Sequence, residues 1–330
     1  MLRRSVRKGT ISHAYLFEGP AGVGKFLAAT EFVKAARCRE GRDADSCGRC
    51  AECRKVDHGN HEDVFFLAPL EGKRLIGIKQ VQELDRKLFF KAYSGKRKFA
   101  VVRDAHAMTE EAMQAFLKTL EEPPEGTTII LVTETAEALL STIRSRCQRV
   151  KFYALAPEVI RSCLARRGDG DESLDFLASF AAGSLGRALA ARGGSILQER
   201  EALFDLLFLS RDSDATARAE AVFRTIKDYA ANDALEASRV EFQQFAEIAL
   251  TFCRDILAVQ SGLPPAAIIN RDMADKIREQ AGVRGEDELF ALGESLREMQ
   301  RSVAANVGLK LVLLTLMERL TQRESAGAPL

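Results

Sequence analysis

The sequence predicts a parallel α/β domain with an inserted metal module, followed by a small helical lid domain and an all-α domain, over 330 residues. Three observations lead there. A phosphate-binding pattern, Gly19-Pro20-Ala21-Gly22-Val23-Gly24-Lys25, stands between an apolar run and an amphipathic one. Strand and helix patterns then alternate to about residue 153, as a parallel sheet with crossover helices requires. From Ala154 onward the strand signals stop and only helical periodicity remains.

Ala14 to Glu18 is the strand entering the loop, and Phe26 to Arg37 the helix leaving it. Val64 to Leu67 is the next strand, and Ile78, Val81, Leu84 and Leu88 form one face of a helix. After the strand Phe99 to Val102, Thr109 is placed to cap a helix whose first turn carries Glu110 and Glu111. That helix buries Met113, Phe116, Leu117 and Leu120, and Pro123-Pro124 stops it. Thr127 to Val132 and Gln148 to Phe152 complete the strand set. Pro157 opens the first of several short helices that run to about Arg192, and Gly193-Gly194 marks a hinge. Beyond it, Val222 to Tyr229, Val240 to Ile256 and Leu309 to Leu320 read as helices. The division is 1–153, 154–194 and 195–330.

Composition excludes several classes. Apolar residues at 46% and charged residues at 29% are ordinary for a globular chain, and a net charge of +1 gives no global field for nucleic acid. Local basic clusters, Lys96-Arg97-Lys98 and Arg144 to Lys151, are expected as solvated faces. Arg3, Arg4, Arg7 and Lys8 precede no apolar run, so no secretory signal is expected. The uncharged run Ile256 to Asn270 contains Pro264-Pro265 and is too short to span a bilayer; a cytoplasmic location is expected.

Four of seven cysteines crowd together as Cys38-x8-Cys47-x2-Cys50-x2-Cys53. In a reducing compartment that spacing points to tetrahedral Zn²⁺ rather than disulfides, with Gly41, Gly48 and the polar stretch Arg42 to Ser46 supplying the turns. No acid or histidine completes an open catalytic site there, so the ion is structural. Cys147, Cys163 and Cys253 are isolated packing residues.

The phosphate loop is incomplete at its metal. The position after Lys25 ordinarily supplies a Ser or Thr hydroxyl to Mg²⁺; here it is Phe26, which has no lone pair to give. The second metal ligand is ordinarily an acid at the end of a buried strand, and there Arg103-Asp104 follows Phe99 to Val102. Arg103 takes the metal position and Asp104 that of the water-orienting acid. A one-residue slip that made Asp104 the ligand would turn its side chain to the other strand face. Two losses at one ion leave a nucleotide cradle without a hydrolytic centre. Arg146, flanked by Ser145 and Cys147, can be read as pairing with a local carboxylate or as a fork for phosphate oxygens. His58, His61 and His106 have no partners at catalytic spacing.

The loop Gly19 to Lys25, the cysteine module, Leu117-Lys118-Thr119-Leu120-Glu121-Glu122-Pro123-Pro124 and Ser145-Arg146-Cys147 stand in the order seen in bacterial clamp-loader AAA+ subunits. The chain resembles that family throughout, and the lost metal ligands with a retained Ser-Arg-Cys are similar to its delta-prime type. Its gamma/tau motors would keep a loop Ser or Thr and an acidic pair. The resemblance implies an AAA+ P-loop domain, a lid and a collar that joins a ring-like heteropentamer within the DNA polymerase III holoenzyme. It also implies no intrinsic ATPase, and an arginine finger, Arg146, acting in trans on ATP held by a neighbouring gamma/tau subunit. Partners implied are gamma/tau, delta, the sliding clamp and primed DNA. Thr133 resembles sensor 1 and Arg187, in Gly183-Ser184-Leu185-Gly186-Arg187, resembles sensor 2; Gly19, Gly22, Gly24 and Lys25 form a degenerate nucleotide loop. Two other readings stay open. One is an active ATPase motor using Asp104 and water at the metal; the other is a zinc-module DNA-binding protein on a P-loop scaffold.

Overall fold

A computed structural model describes residues 1–41, 43–93, 97–167, 174–192, 196–209, 216–217, 219–222, 235–305, 307–308 and 311–318. Contacts divide the chain into two compact units, Met1–Leu155 with Gly183–Gly186, and Ala156–Ala182 with Arg187–Leu330.

The first unit is built on five parallel strands, β1 (Ala14–Glu18), β2 (Val64–Leu67), β3 (Lys98–Val102), β4 (Thr127–Thr133) and β5 (Gln148–Lys151), in the order β2-β3-β4-β1-β5. β1 to β4 are largely apolar on both faces because each face packs against helices, whereas the edge strand β5 is polar and mostly exposed. Period-two alternation sorts them: Leu16, Ala100, Val102, Ile129 and Leu131 join the helices Ile78–Phe89 and Glu110–Glu121 on one side. Tyr15, Phe17, Phe99, Val101, Ile130 and Val132 meet the helix Lys25–Arg37 on the other. The five expected strands are all present, β3 beginning one residue earlier, β4 ending one later and β5 ending one earlier than their patterns suggested.

Thr109 caps its helix as expected, its side chain accepting from Ala112 N. The helix ends at Glu121, just before Pro123. Met113, Phe116 and Leu120 are buried and Leu117 is partly so. Ile78 departs from the expected face: it is 38% exposed, since it opens the helix before the first turn reaches the core, while Val81, Leu84 and Leu88 are buried. Three short helices carried no clear periodicity, Leu2–Lys8, Ala51–Asp57 and Ser141–Arg146. At two turns or fewer, a 3.6-residue pattern has too few repeats to register.

The second unit is helical. Pro157 starts the helix Pro157–Ala165, and Leu235–Gln260 runs much further in both directions than the stretch Val240 to Ile256. Residues 311–318 are helical. The expected hinge at Gly193-Gly194 and most of Val222 to Tyr229 lie outside the described residues. Among the described residues no helix is long and apolar enough to cross a membrane.

The least expected feature of this unit is Asp255, fully buried on the long helix. Its carboxylate accepts from Ile269 N at 3.0 Å, from Asn270 N and Nδ2 at 2.8 Å each, and from Arg254 Nη1 at 2.8 Å. It thereby supplies the acceptors that the bend after Pro264-Pro265 lacks, and Asn270 Nδ2 also reaches Thr251 Oγ1 at 3.0 Å. Asp255→Ala would strand these donors in an apolar interior. The expected cost is about 3 kcal/mol, a few donors at roughly 1 kcal/mol each. Urea unfolding checks this, and an unchanged midpoint would refute it.

Candidate functional site

The parallel register brings the carboxyl ends of β1, β3 and β4 to one edge of the sheet, where ligands of such folds are held. Glu18 is level with Thr133, and Val102 with Leu131. The phosphate loop, the Arg103-Asp104 turn and Thr133 are therefore neighbours by topology. Gly19 has φ 148°, and a Cβ there would collide with the Phe152 carbonyl, so the tight entry to the loop requires glycine. The loop is further tied by Gly186 N, which donates to Gly22 O at 2.9 Å.

Lys25 is buried, and its Nζ donates to Gly19 O at 2.6 Å and Pro20 O at 2.5 Å. Burial lowers its pKa below the ordinary lysine value, against the opposing pull of Glu134 and Asp104. Its ammonium is thus spent on the loop's own carbonyls.

Phe26 and Arg103, the two residues at the expected metal positions, meet each other. The Arg103 guanidinium lies 5.5 Å from the Phe26 ring centroid, and that ring packs edge-on to Phe66 of β2 at 5.8 Å. Arg103 Nε also pairs with Asp104 at 3.5 Å. β3 ends at Val102, and Asp104 sits in the left-handed region at φ 53°. The strand alternation that separated the two possible metal ligands therefore stops short of both, and the turn decides their directions. Asp104 remains close enough to act electrostatically on Lys25.

Thr133 is buried at the end of β4, donating to Thr135 O at 3.1 Å and lying 3.4 Å from His106 Nδ1. Arg187 belongs to the second unit, where it pairs with Glu247 at 2.9 Å and lies 4.4 Å from the centroid of the Phe180 ring.

Ser145 and Arg146 close the helix Ser141–Arg146, pinned from below by Ile143 and Cys147, both in the sheet's core. Burial pushes the Cys147 thiol up to about 12, which makes it a packing residue. Ser145 Oγ returns a bond to Thr142 O at 3.0 Å. Arg146 Nη1 donates to Thr142 O at 2.9 Å, and Nη2 pairs with Glu121 at 2.7 Å. The local carboxylate considered from sequence thus exists, at the end of the Glu110–Glu121 helix. Nearby Arg149, by contrast, is committed to Glu18 through Nε at 3.1 Å and Nη2 at 2.7 Å.

Cys38, Cys47, Cys50 and Cys53 place their sulfurs within 4.8 Å of one another, so this group could hold a metal ion. Cys38 Sγ and Cys50 Sγ are 3.8 Å apart. Zn–S bonds of about 2.3 Å at tetrahedral angles demand a sulfur separation of about 3.8 Å, so the donor set fits Zn²⁺. Cys47 N donates to Cys38 Sγ and Cys50 N to Cys47 Sγ, each at 3.3 Å, which helps carry thiolate charge. The ion would supply structure, since four sulfurs leave no open position.

A buried network anchors this module and was not legible in the sequence. Arg37, 1% exposed, pairs with Asp63 at 3.2 Å and Glu52 at 3.3 Å, and Glu52 also meets His61 at 3.0 Å. Hydrogen bonding to His61 and the charges of Arg37 and Arg39 hold the Glu52 carboxyl below the usual range despite its burial. Spacing of 15 and 26 residues between Arg37 and its acids leaves no local pattern to find.

Residues 1–156 match the family described as DNA polymerase III, delta subunit. The chain is 38% identical over 166 residues to the DNA polymerase III subunit delta′ of Bacillus subtilis (strain 168), covering 50% of this chain and 49% of that one. It is 36% identical over 208 residues to the delta′ subunit of Escherichia coli (strain K12), covering 62% of each. To the tau subunit of Bacillus subtilis it is 28% identical over 322 residues, 92% of this chain and 53% of that one. The chain spans about half to three fifths of the delta′ relatives it matches.

Proposed function

We propose that this chain, similar to DNA polymerase III delta′ subunits over about half to three fifths of their length, is a clamp-loader subunit of that kind; it hydrolyses no ATP itself and presents Arg146 to ATP on a neighbouring gamma/tau subunit. The observation that carries this is the contact between Phe26 and Arg103. Both positions that would ligate Mg²⁺ are filled by a ring and a guanidinium that interact with each other, and Lys25 is turned onto the loop's carbonyls. Arg146 needs no nucleotide of its own to work in trans.

In this reading the three-domain division 1–153, 154–194 and 195–330 gives a degenerate AAA+ domain, a lid and a collar. The collar joins a ring-like heteropentamer with gamma/tau and delta, which opens a sliding clamp and closes it on primed DNA. Thr133 and Arg187 then serve structure, and the cysteine module holds structural Zn²⁺. The test is ATP hydrolysis, stimulated by clamp and primed DNA, in the complex reconstituted from its cognate subunits. A loss confined to Arg146→Ala supports the proposal, while an equal loss in Lys25→Ala overturns it.

The match to tau over 92% of the chain favours one competing reading, an active motor with an atypical metal site built on Asp104. Phe26→Thr separates the two. With Arg103 still in place, the variant is expected to leave turnover within about twofold of wild type, because metal stabilisation worth several kcal/mol needs both ligands. A large gain in turnover would establish the motor.

A further inference from the structure

We propose that Glu121 is the positioning residue for Arg146: its carboxylate, fixed on a rigid helix end, holds the guanidinium in the direction from which it meets a phosphoryl group on the neighbouring subunit. This rests on the reading of Arg146 as a finger in trans.

The guanidinium is gripped from two sides, by Thr142 O of its own helix at 2.9 Å and by Glu121 Oε1 at 2.7 Å. These bonds use two of the five N–H donors an arginine carries, leaving three for phosphate oxygens. Both grips stand on fixed supports. Phe116 and Leu120 bury the Glu121 helix in the core, and Thr119 ties it to Asp85 of the adjacent helix at 2.7 Å. Ile143 and Cys147 bury the Arg146 helix in that same core. The conspicuous run Leu117 to Pro124 acquires a physical purpose here: Thr119 locks the helix, Glu121 holds the arginine, and Pro123, just past the cap residue Glu122, prevents the helix from continuing.

A contribution to folding does not account for the pair. Arg146 and Glu121 side chains are 35% and 49% exposed, and ion pairs so placed stabilise a fold little. What the pair limits is the freedom of a long side chain with several rotatable bonds, and a fork fixed beforehand loses less of it when phosphate arrives. The carboxylate therefore acts through Arg146 and touches no substrate.

Stimulated ATP turnover in the reconstituted complex tests this, with kcat and KM for ATP measured separately. Glu121→Ala is expected to lower kcat about tenfold, the share of rotamer freedom one grip removes, with KM unchanged. Glu121→Gln keeps an acceptor oxygen at the same reach and is expected to restore most of the rate. Assembly of the complex and the melting temperature of the chain should match wild type in both variants. Glu121→Ala at or above the wild-type rate, with Arg146→Ala inactive, overturns the positioning role and leaves the finger standing. Equal losses in Ala and Gln variants, or failure of Glu121→Ala to assemble, also overturn it. Full activity in Arg146→Ala removes the finger reading and this inference together.

Discussion

Arg146→Ala in this chain is expected to lower stimulated ATP turnover of the assembled complex by about 10³–10⁵-fold, the range arginine fingers supply in phosphoryl transfer. That corresponds to roughly 4–7 kcal/mol of barrier. On the proposed role the effect is large because the fork would meet charge that develops only in the transition state. It should therefore appear in kcat, with ATP affinity of the neighbouring subunits little changed. Arg146→Lys should recover only a small part, since an ammonium cannot reproduce the planar two-point geometry. Arg149 is an internal control for charge alone: it lies on β5, next to the motif, but is engaged twice by Glu18. Wild-type kcat in Arg146→Ala would end the finger reading.

Removing the Zn²⁺ proposed for the cysteine module is the second large effect. Apparent Zn²⁺ affinities of small four-ligand sites amount to about 10–16 kcal/mol, most of it folding free energy. Cys50→Ser with Cys53→Ser, or strong chelation, is expected to abolish one equivalent of bound zinc and to lower the melting temperature of the chain by about 10 °C or more. The consequence should spread beyond residues 38–53. Cys38 directly follows Arg37, and Glu52 lies between Cys50 and Cys53, so losing the ion frees both ends of the ion-pair network that reaches Asp63. Calorimetry with elemental analysis decides the matter. Metal-free wild-type protein with an unchanged melting temperature would refute it.

Residue order alone determined the sheet, the cradle and the metal module. β1 to β4 are legible because burial on both faces demands a largely apolar run, whichever helix covers each face, while β5 is a polar edge strand. The phosphate loop and the Cys-x2-Cys steps are legible because their chemistry needs fixed spacing within a few residues of chain. Tertiary structure alone decided what the odd residues do. Phe26 and Arg103 are 77 positions apart, and their contact follows from the helix Lys25–Arg37 leaving β1 and packing across the sheet face onto β3. Glu121 and Arg146 meet because two helices pack on one sheet face, and Asp255 meets Asn270 because the chain doubles back after Pro264-Pro265. Periodicity reports which face of an element is apolar; which charged groups come together depends on how those faces are stacked. Long-range polar partners leave no repeat in the sequence, since one carboxylate at the right place satisfies an arginine from any distance along the chain.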